Sequence, residues 1–480
     1  MAASASRTGA DLPARPGASP TSKRAAKVAD LIVGDVMAMG WPVGVLLGSE
    51  AELLDRYKVS RAVFREAVRL VEHQQVARTR RGPGGGLVVT EPTVDAVIDA
   101  VVLYLYRIQA SLDELFEARM VLEDIVVDLV SDRLEDADIA SLRDFVTQAN
   151  PGLDATPRAL HAALASISAN PALELFVDVL SRVTLLYSTD WEQLRPVFGA
   201  QMRHAHARIA EAAIAGDAEH ARRRMRRHLQ AESDFLHSNQ SIRQQLPDQV
   251  VAASELGNGK RAEVVARHLT QAIVGARMRS GEFVGAERDL IEQEHVSRAV
   301  LREAVRLLEH HQIARMRRGP GGGLFVFEPS ASAVTEIVAI YLARRGMRLR
   351  DLAELRTPVE TALAVLAAQR IEAGDVERMK DALAREQASS DAEQFEVVHD
   401  LHTAVAGAAH NRVLELVALV LIRLSRLHQI ERLAPKARDQ VAAEVLRAHE
   451  GIAAAVESGD HELAGRRMRR HLDALAVFMR

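Results

Sequence analysis

The sequence predicts a mainly α chain in which two helix-turn-helix units, each carrying a small β-hairpin, alternate with two all-helical bundles. Three observations predict this. First, one stretch occurs twice: Val59 to Leu87 and Val296 to Leu324 are identical at 24 of 29 positions, at an offset of 237 residues. Second, apolar residues recur at helical spacing along most of the remaining chain. Third, aromatic residues are only 4% of a chain that is 48% hydrophobic, and Ala, Leu, Val and Arg dominate, which favours helix packing over sheets. At 480 residues there is room for several domains.

Residues 1–22 are rich in Ala, Ser, Pro and Gly without an apolar period, and are expected to be a disordered tail. Residues 23–92 form the first repeated unit. Arg24 to Met39 reads as a helix, and Ser49-Glu50-Ala51-Glu52 fits a capping box before Leu53-Leu54. A turn at Tyr57-Lys58-Val59 leads to a second helix with Ser60 as its N-cap. On that helix Val63, Ala67, Leu70 and Val71 share an apolar face, and Arg61, Arg65 and Arg69 form a cationic stripe on another. A basic segment, Arg78 to Arg81, then runs through Gly-Pro-Gly-Gly-Gly into Leu87-Val88-Val89, which reads as a hairpin with two arginines at its mouth. Residues 261–329 repeat the unit, with helices expected at Arg261 to Met278 and Glu287 to Glu294, and a stripe of Arg298, Arg302 and Arg306. There Ala286 replaces Ser49, which weakens the cap. Glu91-Pro92 and Glu328-Pro329 close the two units.

Residues 93–240 form the first helical domain, with helices expected at Val94–Ile108, Leu112–Arg133, Ala137–Gln148, Pro157–Ile167, Pro171–Tyr187, Arg195–Ala215 and Ala218–His237. Residues 241–260 are polar, contain Pro247, Gly257 and Gly259, and read as a linker; residues 330–480 form the second helical domain. Gly216-Asp217 is repeated by Gly459-Asp460.

The net charge of −4 means that any contact with a polyanion must come from local clusters. The chain has no cysteine, which excludes disulfides and thiolate metal sites. No apolar leader segment and no run of about 18 apolar residues appears, so neither export nor membrane insertion is expected, and a cytoplasmic location fits.

An arginine-striped helix beside a basic hairpin suits double-stranded DNA: the helix enters the major groove, and bare glycine backbone approaches phosphates or the minor groove. The alternative is a solvated helix with ion pairs and an ordinary hairpin after it. A phosphate-cradling loop is excluded by the absence of Gly-Lys-Ser/Thr after the glycines. Both copies resemble the winged helix-turn-helix of the GntR family of bacterial transcription regulators: S-E-x-E-L, then V-S-R-x-x-x-R-E-A-x-R-x-L, then a basic Gly-rich wing. The helical segment after each copy resembles the all-helical FCD ligand-binding domain of the FadR subfamily.

The resemblance implies a sequence-specific DNA-binding regulator, not an enzyme, with repression the commoner outcome and a small organic-acid-like effector held in the helical domains. It implies base or backbone reading by Arg61, Arg65, Arg298 and Arg302, with Arg69 and Arg306 on the same stripes, and minor-groove contacts at Arg81-Gly82 and Arg318-Gly319. The residue after S-E is a further contact, Arg288 in the second copy but Ala51 in the first, so the two heads are expected to read unequal half-sites. Family members carry one head and one helical domain per chain and dimerise. A tandem chain departs from that, and the expectation is an intrachain pseudo-dimer on a pseudo-palindromic operator, open to further homodimerisation. An effector-independent DNA scaffold is the alternative.

The histidines repeat as well. His206 and His228 are 22 residues apart, as are His449 and His471; His161 and Asn170 are nine apart, as are His402 and Asn411. Three histidines on three helices with an open position suit a divalent metal such as zinc. The FCD pattern is Asp-x-x-x-His and then two later histidines. His161, His206 and His228, and His402, His449 and His471, match the histidines; Pro157 and Val398 stand where the aspartate belongs, with Asp154, His399 and Asp400 nearby but out of register. Without a metal, these would be polar core residues bonded to one another. A His-dependent metalloenzyme is a third reading, disfavoured because no H-E-x-x-H or other general-base motif accompanies the histidines. Arg119 and Arg356 are candidates for gripping an anionic effector; the plain reading is an i,i+4 ion pair with Glu123 or Glu360.

Overall fold

The computed structural model describes residues 20–480 except 81, 83, 148–157, 187–190, 239–260, 277, 311–312, 318, 320, 328–330, 390–397, 430–434 and 479–480. The expected linker 241–260 therefore lies outside the described residues, as do Arg81, Arg318 and the Glu328-Pro329 step. The chain divides into two compact units, one ending at Glu91 and one running from Pro92 to Arg480.

In the first unit, α1 (Pro20–Ala38), β1 (Leu46–Gly48), α2 (Glu50–Tyr57), α3 (Arg61–His73), β2 (Ala77–Arg80) and β3 (Gly86–Val89) succeed one another. Helix α1 begins at Pro20, inside the stretch expected to be a tail: the apolar period of the residues after it draws Pro20 in as a first-turn residue, where a missing N–H is tolerated. The sheet order is β1-β3-β2, antiparallel, with Thr79 opposite Leu87 and Arg80 opposite Gly86. Gly86 is required where β3 crosses β1, since a Cβ there would lie 2.2 Å from the Gly48 carbonyl oxygen. The α2 capping box forms in full, Glu52 N–H donating to Ser49 Oγ (3.3 Å) and Ser49 N–H to Glu52 (2.7 Å). Lys58, at φ 51°, makes the left-handed turn into α3. The buried face of α3 is Val63, Phe64, Ala67 and Val71; Leu70, expected inside, is only half-buried, at the margin of that face.

In the second unit, seven helices come first among the described residues: α4 (Val94–Arg107), α5 (Leu112–Arg133), α6 (Asp136–Thr147), α7 (Ala159–Ile167), α8 (Pro171–Leu186), α9 (Trp191–Ile214) and α10 (Ala218–Ser238). The repeat of the first unit comes next as α11 (Arg261–Gly275), β4 (Phe283–Gly285), α12 (Glu287–Gln293), α13 (Arg298–His310), β5 (Ala314–Arg317) and β6 (Gly323–Val326). Its sheet order is β4-β6-β5. The second helical set is α14 (Ala331–Arg344), α15 (Leu349–Arg370), α16 (Ala373–Ala388), α17 (Asp400–Ala408), α18 (Arg412–Gln429), α19 (Pro435–Glu457) and α20 (His461–Phe478). Gly216 and Gly459, at φ 70° and 72°, end α9 and α19, and Asp217 and Asp460 then accept from the first turns of α10 and α20. Among the described residues no helix is long and apolar enough to cross a membrane.

The two helical sets share one hydrophobic core, in which Val97, Val101, Phe116 and Leu122 of the first join Val338, Leu342, Leu355 and Val359 of the second. Helix α4 packs on α14, and α5 on α15 and α18. The polar contacts around this core come in matching pairs. Arg370 of the second set bridges Glu117 of the first (2.6 Å), and Arg133 bridges Glu354 at the corresponding positions. Asn170 caps α8 through its Oδ1 and donates from Nδ2 to the Asp351 carbonyl (2.8 Å); Asn411 caps α18 and donates to the Glu114 carbonyl (3.0 Å). The asparagines spaced nine residues after His161 and His402 thus belong to this seam, not to the histidine sites. The second repeated unit has its own core, against which Leu103 of α4 packs, and Arg107 at the end of α4 donates to the carbonyls of Ile313 and Phe327 at the base of its hairpin.

Candidate nucleic-acid interface and buried histidine sites

The arginine stripes stand on the exposed faces of α3 and α13. Arg61 and Arg65 are about two-thirds exposed, and both direct Nε at one carboxylate oxygen of Glu50, at 3.3 and 3.5 Å. Arg298 and Arg302 do the same with Glu287, at the same distances. The first acidic residue of the short helix therefore holds two arginines of the long helix parallel, which restricts their rotamers without burying their forks. Arg69 and Arg306 pair instead with Glu66 (3.0 Å) and Glu303 (2.8 Å) one turn back. Arg288 is exposed at the start of α12 and pairs with Glu292; Ala51 occupies its place in α2.

The hairpins are tied to these helices. Thr79 N–H donates to Glu72 of α3 (2.8 Å), and Met316 N–H to Glu309 of α13 (3.0 Å). Gly82 and Gly319, at φ 100° and 99°, turn the tips in a conformation that L side chains rarely adopt. The second hairpin differs in one respect that the spacing of its residues does not reveal: Arg317 and Arg315 lie over the Phe325 and Phe327 rings, at 4.2 and 5.3 Å from the centroids. Val88 and Thr90 hold those ring positions in the first hairpin.

The six histidines converge as two buried triads. In the first, His228 Nε2 lies 3.2 Å from His161 Nε2 and 3.2 Å from His206 Nε2. In the second, His449 Nε2 lies 3.2 Å from those of His402 and His471, which are 3.3 Å from each other. All six residues are at most 5% exposed. The repeat in the sequence points to these six residues but not to the groups behind them. His161 Nδ1 is bonded by Glu123 and His402 Nδ1 by Glu360, while His449 Nδ1 meets Glu386 at 2.7 Å. Glu123 and Glu360 are legible in the sequence only as i,i+4 partners of Arg119 and Arg356. They are that too, with Arg119 Nε at 2.9 Å from Glu123, but both arginines are buried rather than solvated. Each site is thus a chain of arginine, glutamate and histidine.

The electrostatics derive from burial. Burial raises the Glu123 carboxyl, but His161 and Arg119 beside it outweigh this and hold it at about 2. Arg356 and His402 likewise hold Glu360 well below the usual carboxylate range against its burial. Burial, reinforced by neighbouring histidines, pushes His228 down to about 4 and His471 down to about 2, and lowers His206 well below its ordinary value. These imidazoles are therefore neutral at pH 7. With Nδ1–H of His161 and His402 donated to carboxylates, their Nε2 lone pairs point at further Nε2 atoms. Lone pairs that converge in this way repel unless a proton or a cation lies between them. Tetrahedral coordination at about 2.0–2.1 Å sets ligand nitrogens roughly 3.3 Å apart, and the five Nε2–Nε2 distances above have this spacing, so the residues fit a divalent metal. No carboxylate joins either triad as a fourth ligand among the described residues.

Comparison with known proteins agrees with this geometry. The FCD domain model matches residues 114–231 and 351–474, which hold both triads, and the model of bacterial regulatory proteins of the gntR family matches residues 261–326. A putative HTH-type transcriptional regulator RmpR of Mycobacterium gastri is 31% identical over 125 residues, 25% of this chain and 44% of that protein. The HTH-type transcriptional regulator LutR of Bacillus subtilis (strain 168) is 28% identical over 208 residues, 42% of this chain and 92% of that protein. This chain thus spans under half of the first relative's length and nearly all of the second's. A solved structure of Streptococcus agalactiae GntR aligns with a TM-score of 0.37 at 22% identity, covering 45% of this chain and 99% of that one. With FCD matches over both helical sets and a gntR match over the second repeated unit, to which the first is near-identical in its central stretch, the chain belongs to the gntR family of bacterial regulatory proteins and carries the FCD domain twice.

Proposed function

We propose that the chain is a DNA-binding transcription regulator, acting as a repressor, in which two heads and two effector domains are fused into one pseudo-dimer. The observation that carries the reading is the matching pair of arginine forks, Arg61 and Arg65 held by Glu50, and Arg298 and Arg302 held by Glu287. Held parallel and exposed, these arginines suit guanine O6 and N7 in the major groove, with the Gly82 and Gly319 turns reaching the backbone or minor groove. The glutamate keeps the forks ordered without DNA and must release them when bases take its place.

The shared core and paired seam contacts of the two helical sets support the pseudo-dimer. A seam that supplies both halves of a two-fold interface within one chain suits a pseudo-palindrome read by one chain. In the helical domains, His161, His206 and His228, and His402, His449 and His471, would hold a divalent metal, whose chemistry is to anchor an anionic oxygen of a small carboxylate effector. Arg119 and Arg356, buried behind the triads, are the candidates for gripping a carboxylate of that effector. Effector binding changes operator affinity to the extent that it favours one arrangement of the helical domains over another.

The test is a footprint with stoichiometry on DNA from the promoter region of the protein's own gene. One chain protecting one palindrome of two half-sites is expected. Two chains on one palindrome would mean one head per chain is idle, and Ala51 makes the first the suspect. No protection on any promoter fragment, with or without candidate carboxylates, would overturn the reading in favour of a scaffold.

A further inference from the structure

The two histidine sites share their triads and differ around the buried arginine. In the first, Arg119 is fully engaged: Nε donates to Glu123 (2.9 Å), and Nη1 to Glu232 (2.9 Å) and Thr184 (3.4 Å). No buried side-chain atom of Arg119, Glu123 or Glu232 lacks a partner among the described residues. In the second, aligned through His228 and His471, Leu475 stands where Glu232 does. Arg356 still meets Glu360 through Nε and Ser425 through Nη1 (3.1 Å), but its Nη2 has no partner among the described residues although the residue is 2% exposed.

A second buried group of the same domain is equally unmatched. His399 is 2% exposed, neither of its ring nitrogens has a partner among the described residues, and its ring lies 6.1 Å from that of His402. The first domain has Arg158 at the corresponding place, turned to Asp178 through Nη1 at 2.9 Å, with its Nε unpartnered among the described residues. The second domain is not short of negative charge, for Glu386 is buried there; but it lies against His449 Nδ1, not against the arginine. Leu475 and His471 meanwhile line a cleft of about 390 Å³ between α19 and α20, with Arg447, Arg467 and Arg470 in the same wall.

A buried guanidinium edge and a buried imidazole, both without partners, are donors awaiting an acceptor. We propose that the two helical domains have divided their work: the second binds a small carboxylate between Arg356 Nη2 and His399, and the first is closed to it because Glu232 already occupies its arginine. The proposal rests on the effector reading above and adds which domain senses. A carboxylate matches the guanidinium edge in charge and geometry, and in the first domain the protein's own Glu232 plays that ligand's part.

The experiment is isothermal titration of the zinc-treated full chain with malate and with succinate, alongside operator binding. One ligand per chain is expected for the unchanged protein. Leu475→Glu, which transplants the first domain's carboxylate to a half-exposed site, is expected to abolish binding. Glu232→Leu is expected to add a second site, at least tenfold weaker because Arg158 stands there in place of His399, and His399→Ala is expected to weaken binding at least tenfold. Should Glu232→Leu fail to fold by circular dichroism, Glu232→Ala removes the carboxylate with a smaller side chain, and the same second site is expected. Two ligands per unchanged chain, or unaltered binding in Leu475→Glu, would overturn the division of work and leave the effector reading standing. No heat with either probe in any variant, with operator binding intact, would overturn both.

Discussion

The unequal neighbourhoods of the two buried arginines predict unequal consequences for one and the same substitution. In Glu360→Gln, Arg356 loses the one carboxylate it pairs with, and Ser425 is then its remaining named partner. Removing one partner of a buried ion pair destabilises by about 3–5 kcal/mol, because an uncompensated charge is left in the core. In Glu123→Gln, Arg119 keeps Glu232 at 2.9 Å, so the loss reduces to a weakened charged hydrogen bond, about 1–3 kcal/mol. Both changes also weaken the carboxylate support of a histidine Nδ1, which lowers metal affinity by about 10–100-fold at each triad. The assay is denaturant unfolding of the metal-free full chain, monitored by circular dichroism, with zinc affinity measured by chelator competition. Midpoints are compared between variants, since a chain of several domains need not unfold in one step. Equal midpoint shifts, or a larger shift for Glu123→Gln, would refute the argument that Glu232 is what separates the sites.

The same contacts predict other outcomes. Arg65→Ala and Arg302→Ala should each weaken operator binding by about 1–3 kcal/mol in fluorescence anisotropy at fixed salt; unchanged affinity in both would remove the groove assignment. Gly86→Ala would set a Cβ 2.2 Å from the Gly48 carbonyl oxygen, so the first wing should lose its β1–β3 pairing and the first unit its thermal stability; an unaltered melting profile would contradict the close crossing. Lowering the pH should destabilise the metal-free protein through its buried histidines. His228 is held near 4 against an ordinary 6.5, so below 6.5 the unfolded chain binds more protons than the folded one. Its contribution, on the order of 3 kcal/mol, is complete above pH 6.5 and is lost as pH falls toward 4. Stability that stays flat over that window would show that this imidazole is not held neutral.

The heads were legible almost residue by residue, because their signals are local. The Ser49 capping box, the Ser60 cap, the missing cap at Ala286 and the arginine stripe at every fourth position are read from spacings of three and four. The histidine triads were legible through a different signal, the repeat itself, which marked His161, His206 and His228 by their counterparts 241 to 243 residues on. Their surroundings were not. Glu232 is 113 residues from Arg119, and Glu386 is 63 from His449, and no periodicity links residues on separate helices. The start of α1 at Pro20, the burial of Phe64 and the partial exposure of Leu70 were missed for the opposite reason: each turns on one residue at the margin of a helix or of its face, where packing decides. Asn170 and Asn411 show the remaining limit, since their fixed distance from a histidine marks them as repeated but not what they do, which is to serve a seam between domains.

That seam also suggests why fusion matters to what the sites became. Its symmetric part, Arg133 with Glu354 and Arg370 with Glu117, is what a homodimer of a one-copy chain would also make. Its asymmetric part is not. Arg412 reaches across to Glu114 and to the Ile108 and Gln109 carbonyls, whereas the corresponding residue of the first domain is Pro171, and the residue opposite it, Asp351, is engaged within its own domain by Arg348. In a homodimer every substitution appears in both halves at once, so an arginine gained on one side of the seam is gained on both. In one chain each half varies alone. Arg412 against Pro171 at the seam, Leu475 against Glu232 beside the triads, and Arg288 against Ala51 in the heads are three places where it has done so. Replacing Arg412 with proline would restore the seam's symmetry, remove five hydrogen bonds that Arg412 makes across it, and so is expected to loosen the helical domains from each other. Limited proteolysis reads this directly: faster cleavage between the helical domains than in the unchanged chain is the expected result, and an identical cleavage pattern would mean that the shared apolar core alone holds the seam.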